Sequence, residues 1–304
     1  MLINKGSLEG LFISLKTIFN KAFTTTSSTW QKIAMKVPST TGQEDYAWLA
    51  NFPKMRKWIG DKMIKALEGF KYSVVNDDFE ATVEVDRNHL EDDQLGIYAP
   101  QAEMAGWSAA QLPDEIVYDL VNNGFTNKCF DGKAFFATDH KVGKASVANK
   151  GTAVLSAASL VAAKAGFGAA RAAMKKFADE EGRPLNINPG VLLVPPALAD
   201  EARLLMTADK LGEDPNPYKG TAEVIEEARL TSDTAWFLLD ISKPVKPFIY
   251  QERKAPVFVS QTNPEADDVF TRKKFKFGAE ARAAGGYGFW QLAWGSTGAG
   301  GQGV

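Results

Sequence analysis

Two distant segments of this 304-residue chain alternate apolar and polar residues with a period of two. Their apolar members are Phe79, Ala81, Val83 and Val85 in the first segment, and Phe275, Phe277, Ala279 and Ala281 in the second. Successive side chains of a β-strand point to opposite faces, so each segment predicts a strand with one solvent-exposed face. Together with the helical segments of the chain, these strands predict an α+β fold.

The N-terminal segment carries one apolar stripe at helical spacing. Its members are Leu8, Leu11, Phe12, Leu15, Ile18, Phe19 and Phe23. They predict a short helix, and Ser7 can cap its start. A threonine- and serine-rich run at residues 24–29 then separates this helix from the rest of the chain. Two interpretations stay open: the helix packs on the core of its own chain, or it is an arm that packs on a neighbouring subunit.

A second helical segment spans residues 94–124 and contains Pro113. Proline suits the first position of a helix, and Asp114 and Glu115 would then lie in the first turn, where carboxylates favour the helix dipole. The segment is therefore either two helices or one long helix kinked at Pro113. Gly124 can end it.

The second half of the chain mixes helix and strand signals. Ser159 can cap an alanine-rich helix that Gly166 and Gly168 weaken. A helix is also predicted at residues 197–206, and strands are predicted at residues 191–194, 224–230, 235–240, 248–250, 257–260 and 272–282. The strands at 224–230 and 235–240 are expected to be joined by a turn. Gly285 and Gly286 are interpreted as a turn, and the glycine-rich residues 295–304 as a disordered tail.

Composition excludes several classes of protein. The formal net charge is −2, with 35 basic and 37 acidic residues, whereas a dedicated nucleic-acid binder carries a basic surplus. Contact with DNA is therefore expected to be weak and nonspecific. A single cysteine allows no intramolecular disulfide, which fits a reducing cytoplasm. No apolar run reaches the roughly 20 residues that cross a bilayer, and the N-terminal helix lacks the features of a secretory signal, so no membrane contact is expected.

Candidate catalytic and metal-binding residues are few. His140 follows Asp139, but adjacent residues seldom face each other and no Gly-x-Ser-x-Gly motif is present, so His140 is interpreted as a turn histidine. Cys129 is interpreted as a packed cysteine, although the neighbouring Lys128 could lower the pKa of its thiol. Two histidines and one cysteine cannot supply four Cys/His zinc ligands. No catalytic residue, cofactor or metal site is predicted, and replacing His140 or Cys129 is expected to leave assembly largely intact.

Residues 48–87 form a polar segment that is expected to reach out from the body of the protein. Basic residues precede the alternating strand, whose exposed positions are largely acidic. A segment this polar is expected to contribute little to a core of its own. The residues predicted to contact a neighbouring subunit are Arg56, Lys57, Trp58, Lys62, Lys65, Glu80 and Glu84.

Several short strings resemble the major head subunits of Mu-like tailed bacteriophages, in the family's order. They lie at residues 30–34, 37–41, 44–49, 56–61, 78–83, 85–87, 91–96, 131–136, 138–140 and 194–198. Examples are WQKIA at 30–34, EDYAWL at 44–49 and DGKAFF at 131–136. Each string is weak alone, but together they cover nearly the whole chain to about Trp294.

The resemblance implies the HK97-like major-capsid fold of tailed phages. The implied parts are an N-terminal arm at residues 1–47, an extended β-hairpin loop at 48–93, a peripheral domain with a long spine helix at 94–150, an axial domain at 151–243, and return strands with a glycine-rich tail at 244–304. It also implies a head protein that assembles in the bacterial host cytoplasm into hexameric and pentameric capsomers of a virion. The implied partners are copies of the chain itself, scaffold, portal and decoration proteins, and packaged double-stranded DNA.

Two alternatives stay open at this point. An encapsulin-like compartment would share the fold and enclose protein instead of a genome, although the strings in the first third of the chain favour the phage subunit. A cytoplasmic enzyme acting on a small molecule would need a convergent polar cluster, which the sequence does not reveal.

Overall fold

The computed structural model describes residues 5–50, 72–91, 98–179, 181–261, 263 and 265–300. The helices are α1 Lys5–Thr25, α2 Trp30–Ile33, α3 Arg87–Glu91, α4 Ala99–Asn122, α5 Leu160–Ala163, α6 Ala169–Lys175, α7 Ala199–Thr207 and α8 Asp267–Arg272. The strands are β1 Ala34–Pro38, β2 Gln43–Asp45, β3 Ser73–Val75, β4 Asp77–Asp86, β5 His140–Val142, β6 Ala145–Val147, β7 Lys150–Gly151, β8 Val191–Val194, β9 Lys210–Leu211, β10 Asp214–Pro215, β11 Glu223–Glu226, β12 Trp236–Leu239, β13 Phe248–Gln261, β14 Lys274–Tyr287 and β15 Ala293–Ser296. The chain is therefore a mixed α+β protein.

The two alternating segments pair with each other in a sheet of strand order β1-β13-β14-β4. β14 runs antiparallel to β4 from Lys274↔Asp86 to Ala283↔Asp77, and antiparallel to β13 along nearly its whole length. β13 was predicted as two strands, but it is continuous across Pro256. Its pairing register shifts between Glu252 and Val257, where the proline supplies no backbone N–H.

Helix α1 packs on its own chain. Its buried residues are Leu8, Leu11, Phe12, Leu15, Phe19 and Ala22. Most of them share one apolar cluster with Val85 of β4, Phe275 and Phe277 of β14, and Tyr98. This confirms the first of the two interpretations of the N-terminal helix for the isolated subunit. Ser7 lies inside the helix, so its predicted role as the cap is wrong.

Helix α4 is one continuous helix with Pro113 in its interior. Asp114 therefore does not lie in a first turn. Its carboxylate is buried and accepts hydrogen bonds from the backbone N–H groups of Thr29, at 3.0 Å, and Trp30, at 2.9 Å, at the start of α2. Asp114 thus caps a different helix, and this contact fixes the segment that follows α1.

Gly285 and Gly286 lie inside β14, so their interpretation as a turn is wrong. Helix α4 crosses the sheet at this point. A Cβ atom at position 285 would lie 2.9 Å from side-chain carbons of both Ile116 and Leu120. Glycine is therefore required here for the close approach of helix and sheet.

A second sheet has the strand order β11-β8-β12-β15-β7. β8 is fully buried as predicted, but it lies between β11 and β12, so the strands at 224–230 and 235–240 do not pair directly. The predicted tail begins with β15, and Gly300 still donates a backbone hydrogen bond to Thr152. The prediction of disorder is therefore wrong for residues 295–300, and residues 301–304 lie outside the described part.

The alanine-rich helix is confirmed, and the Ser159 hydroxyl accepts a hydrogen bond from the backbone N–H of Ala162 at 3.2 Å. Between α5 and α6 the helix widens into π-helical geometry at Lys164–Gly168. A Cβ atom at position 166 would lie 2.5 Å from the carbonyl oxygen of Val154. Gly166 therefore allows the helix to pack closely against the backbone of Val154.

The polar segment at 48–87 differs from its prediction where the structure describes it. β3 pairs with β2 and β4 pairs with β14, so these two strands do not form a hairpin with each other. Val74 and Val85 are buried. The expectation that the segment contributes little to the core is therefore wrong for residues 73–86.

Candidate assembly surfaces and the buried loop between the sheets

The predicted contact residues fall into two groups. Arg56, Lys57, Trp58, Lys62 and Lys65 lie outside the described residues. Glu80 and Glu84 lie on β4 with exposed side chains, on the face opposite Val85. The structure therefore places the acidic members of the set on one exposed strand face.

Charges of both signs surround the two glutamates. Glu84 lies 3.6 Å from the Lys274 ammonium, measured between Oε2 and Nζ. Glu80 lies directly across from Glu280, which the Lys254 ammonium contacts at 3.0 Å. Exposed ion pairs of this kind contribute about 0–1 kcal/mol each to stability. Such charges therefore contribute more to the choice of a binding partner and its register than to the stability of the fold.

Strand β4 forms one edge of its sheet. No other strand within the described ranges pairs with its outer side. An edge strand presents unpaired backbone N–H and C=O groups that can pair with another chain. β4 therefore combines an exposed charged face with an open edge.

The base of the polar segment is fixed by a buried hydrogen-bond network. The backbone N–H of Tyr46 donates to the carbonyl oxygen of Tyr72 at 2.8 Å, which joins the two ends of the segment 51–71. The Gln251 amide of β13 donates to Val74 O at 3.1 Å and to Asn76 Oδ1 at 2.8 Å. The Tyr46 hydroxyl donates to Gln251 Oε1 at 2.7 Å.

Residue 72 is also tied to the centre of the main sheet. The backbone N–H of Tyr287 in β14 donates to the Tyr72 hydroxyl at 2.8 Å. Burial raises the pKa of this hydroxyl to about 12, so it stays neutral. The residues on both sides of 51–71 are therefore fixed to the main sheet.

A loop between α4 and β5 connects the two sheets. The Phe135 ring stacks on Tyr287 of β14 at a centroid distance of 4.6 Å, and the adjacent Phe136 ring packs on Phe237 of β12 at 5.3 Å. The Asn149 amide donates to the carbonyl oxygens of Phe135, Trp290 and Ala293 at 2.8, 3.2 and 3.2 Å. Sequence reasoning missed Asn149, because its partners are distant in the chain.

His140 is the first residue of β5, at the end of this loop, and is fully buried, so its interpretation as a turn histidine is wrong. Its ring stacks on Trp290 at a centroid distance of 4.1 Å. Nδ1 lies 2.6 Å from Asp131 Oδ2, and Nε2 lies 3.1 Å from Asn149 Oδ1. The partner of His140 is therefore Asp131, nine residues earlier, while the adjacent Asp139 is exposed and pairs with Lys133.

Cys129 is buried as predicted, and its thiol lies 3.2 Å from Asp131 Oδ1. Burial and the charge of Asp131 raise the pKa of the thiol well above its usual range, which is the opposite of activation by Lys128. Burial alone would also raise the pKa of Asp131. Hydrogen bonds from His140, the Lys133 backbone N–H and Cys129 outweigh that effect and hold the pKa of this carboxyl below its usual range.

No helix within the described residues has the length and apolar character needed to cross a bilayer.

Comparison with known proteins identifies the family. The sequence profile of the Mu-like prophage major head subunit gpT matches residues 8–162, 152–230 and 226–300. The major capsid protein of Escherichia phage Mu is 32% identical over 293 residues, which cover 96% of this chain and 74% of that protein. The Mu-like prophage FluMu major head subunit of Haemophilus influenzae is 31% identical, over 94% of this chain and 71% of that protein.

Solved structures agree with the sequence comparison. The procapsid chain of bacteriophage JBD30 is 30% identical, superposes with a TM-score of 0.61, and matches 97% of this chain and 76% of its own length. A virus-like particle from Pyrococcus furiosus, 9% identical with a TM-score of 0.53 over 93% of this chain and 97% of that one, shares the fold alone. The predicted HK97-like capsid fold is thereby confirmed. The chain belongs to the family of Mu-like prophage major head subunits, the proteins that form the shell of the phage head.

Proposed function

We propose that many copies of this chain assemble into hexameric and pentameric capsomers, and that residues 48–93 and the exposed face of β4 make the contacts that set their register. The major head subunit family is the basis for shell formation. The observation that carries the assignment of surfaces is the fixed base of the segment 51–71, formed by Tyr46, Tyr72 and Gln251.

A fixed base favours assembly because docking then orders fewer degrees of freedom. The basic residues Arg56, Lys57, Lys62 and Lys65 stand in this segment, and Glu80 and Glu84 are exposed on β4. Charges of opposite sign on two surfaces of one chain suit a contact between copies, in which each copy offers one surface to the next.

The other parts of the proposal follow from the role of a head subunit. Scaffold, portal and decoration proteins are expected to bind the assembled shell. Packaged DNA is expected to contact it without sequence preference, because the net charge of −2 leaves few cations to neutralise phosphates. A structural role is proposed in place of catalysis, because His140 is fully buried and burial raises the pKa of the Cys129 thiol well above its usual range.

The test is to shorten the segment between Lys62 and Tyr72 with a Gly-Ser connector. Tyr72 is kept because it bonds both Tyr46 and Tyr287. The variant is expected to unfold cooperatively in circular dichroism melts, like the unchanged chain. In negative-stain electron microscopy it is expected to form no shells, or aberrant ones, even with assembly partners present.

A charge variant separates register from folding. Glu80→Lys with Glu84→Lys reverses the exposed face of β4, whereas Asp200→Lys on α7 reverses a fully exposed carboxylate elsewhere as a matched control. We expect shell defects in the first variant only. Normal shells from both the shortened and the charge-reversed chains would refute the assignment of surfaces. Small cargo-filled shells from the unchanged chain would instead favour an encapsulin-like compartment, and the absence of any shell would leave the enzyme alternative.

A further inference from the structure

Cys129 and Asp131 in the loop between α4 and β5, and His140 at the start of β5, place three different ligand types around one point. Cys129 Sγ, an Asp131 carboxylate oxygen and a His140 ring nitrogen all lie within 4.8 Å of one another. Cys129 and His140 are buried, and the Asp131 side chain keeps 12% of its surface exposed. A tight turn with Gly132 at φ +78° brings the cysteine and the aspartate together.

The hydrogen bonds around His140 fix which nitrogen carries a proton. Asn149 Oδ1 accepts from the backbone N–H of Ala137 at 2.9 Å, while its Nδ2 donates to three carbonyl oxygens. The orientation of this amide is therefore set. His140 Nε2 faces Asn149 Oδ1 at 3.1 Å and the Phe135 carbonyl oxygen at 3.3 Å, which are both acceptors, so Nε2 carries the hydrogen.

The other ring nitrogen, Nδ1, lies 2.6 Å from Asp131 Oδ2. In the metal-free loop a hydrogen bond joins these two atoms, and a bound metal ion would replace the hydrogen between them. A metal-bound histidine that donates its second N–H to a carbonyl or amide oxygen is the common arrangement in proteins.

We propose that Cys129 Sγ, the Asp131 carboxylate and His140 Nδ1 bind one zinc-type divalent cation, with a water molecule as the fourth ligand on the exposed side of Asp131. Sulfur, imidazole nitrogen and carboxylate oxygen are the ligands of Zn²⁺, and tetrahedral bonds of about 2.0–2.3 Å set ligand atoms roughly 3.3–3.7 Å apart. The sulfur and Asp131 Oδ1 are already 3.2 Å apart. The His140–Asp131 pair needs to open by about 1 Å. The zinc ligands counted from the sequence were cysteines and histidines, so the Asp131 carboxylate was not considered as a third ligand.

Metal binding displaces protons from the ligands to the solvent. The Cys129 thiol loses its proton, any proton between Nδ1 and Oδ2 is displaced, and both pass to the solvent. Burial opposes the thiolate in the metal-free loop, but a coordinated thiol is deprotonated by the metal itself. The backbone N–H of Asp131 also donates a hydrogen bond to the Cys129 sulfur and stabilises its charge.

The site would brace the loop that joins the two sheets. Phe135 and Phe136, which contact β14 and β12, lie between Asp131 and His140 in the chain. A cation held by residues on both sides of these rings ties the ends of the loop together. Metal binding is therefore expected to stabilise the subunit whether or not it is assembled, so this proposal stands apart from the assignment of assembly surfaces.

The test is titration of the purified, metal-stripped full chain with Co²⁺, followed by absorption spectroscopy. Cys129 is the chain's one cysteine, so a thiolate-to-cobalt charge-transfer band can report only on this site. We expect the band to saturate at one Co²⁺ per chain and to disappear when Zn²⁺ is added. Elemental analysis of protein purified without chelator should then find close to one zinc per chain.

Variants complete the test. Cys129→Ser is expected to abolish the band and weaken binding at least about tenfold, the lower limit seen when only an outer ligand partner is lost. Asp139→Asn, next to His140 but exposed, is the matched control and should bind like the unchanged chain. Absence of the band in the unchanged chain at saturating Co²⁺ would overturn the proposal and leave a proton between Nδ1 and Oδ2. Unchanged metal affinity in Cys129→Ser would also overturn it.

Discussion

Gly106 of helix α4 offers the sharpest test of how the N-terminal helix packs. A Cβ atom at this position would lie 2.3 Å from the carbonyl oxygen of Phe19 and 3.1 Å from the Cβ of Ala22, both in α1. Neither neighbour is the flexible end of a long side chain. In the variant Gly106→Ala, α1 therefore has to move away by roughly 1 Å to restore van der Waals contact.

The magnitude follows from two opposing effects. Alanine is favoured over glycine in a helix interior by about 1 kcal/mol. Overpacking a close contact costs about 1–3 kcal/mol. Full release of α1 would expose its five large buried apolar side chains at about 1.5–3 kcal/mol each, which exceeds the cost of a shift, so the helix is displaced and stays docked. We expect these two effects to leave a net destabilisation of about 0–2 kcal/mol.

Urea unfolding of the unassembled subunit, followed by circular dichroism, measures this difference. Gly10→Ala is the matched control, because Gly10 lies in α1 itself and a Cβ atom there meets nothing within 4 Å. The control is expected to raise the free energy of unfolding by about 0.5–1 kcal/mol. If Gly106→Ala stabilises the subunit as much as Gly10→Ala does, α1 does not pack on its own α4, and docking on a neighbouring subunit becomes the better interpretation.

Three further predictions concern stability and DNA. His140→Ala is expected to cost about 2–4 kcal/mol in chemical denaturation, since it opens a cavity beside Trp290 and removes the partner of Asp131. The expectation from the sequence alone concerned assembly and stays a prediction, and Asp139→Asn should stay within about 0.5 kcal/mol of the unchanged chain. Hydrogen bonds from Arg183 and the Glu181 backbone outweigh burial and lower the pKa of Asp179. The contribution of Asp179 to the free energy of unfolding is therefore complete at pH above about 4 and is lost as the pH falls through the lowered pKa. Asp179→Asn should flatten this part of a stability–pH curve, and an unchanged curve would contradict the assignment. DNA binding measured by filter retention should be independent of sequence and vanish at moderate salt, whereas tight binding to one sequence at physiological salt would refute it.

The sequence predicts most helices and strands here because their signals are local. The stripe from Leu8 to Phe19 and the alternation from Phe79 to Val85 each describe one element and the face it buries. What a strand pairs with is a long-range property. β8 inserts between β11 and β12 although these follow each other in the chain, and no turn signal could show this.

The local signals that failed were overridden by packing. Pro113 is typical of a helix start, but the helix continues, and Asp114 reaches the start of α2 from the middle of α4. Gly285 is typical of a turn, but Ile116 and Leu120 leave no room for a larger residue in the strand. In both cases the residue was singled out correctly from the sequence. The reason that it stands at this position is a contact with an element that is distant in the chain.

The candidate sites were only partly predictable for the same reason. Cys129 and His140 were considered one at a time, and the only carboxylate weighed as a partner of the histidine was the adjacent Asp139, which was rejected. The turn at Gly132 brings Asp131 between them, and the side chain of Asn149 completes the arrangement from beyond β5 and β6. The Asp131-Gly132 pair is typical of a turn. Which distant side chains that turn brings together cannot be predicted from the pair itself.

The fixed base of the polar segment connects fold and proposed assembly. Gln251 is buried in β13, the strand that pairs with both β1 and β14, and it bonds Tyr46 on one side of the segment and Val74 and Asn76 on the other. A contact that a neighbour makes with the segment therefore acts on a rigid sheet. Loss of this anchor would leave the charges of the segment in place but raise the entropic cost of docking them, so shell formation should depend on Gln251 even though it is fully buried within the subunit.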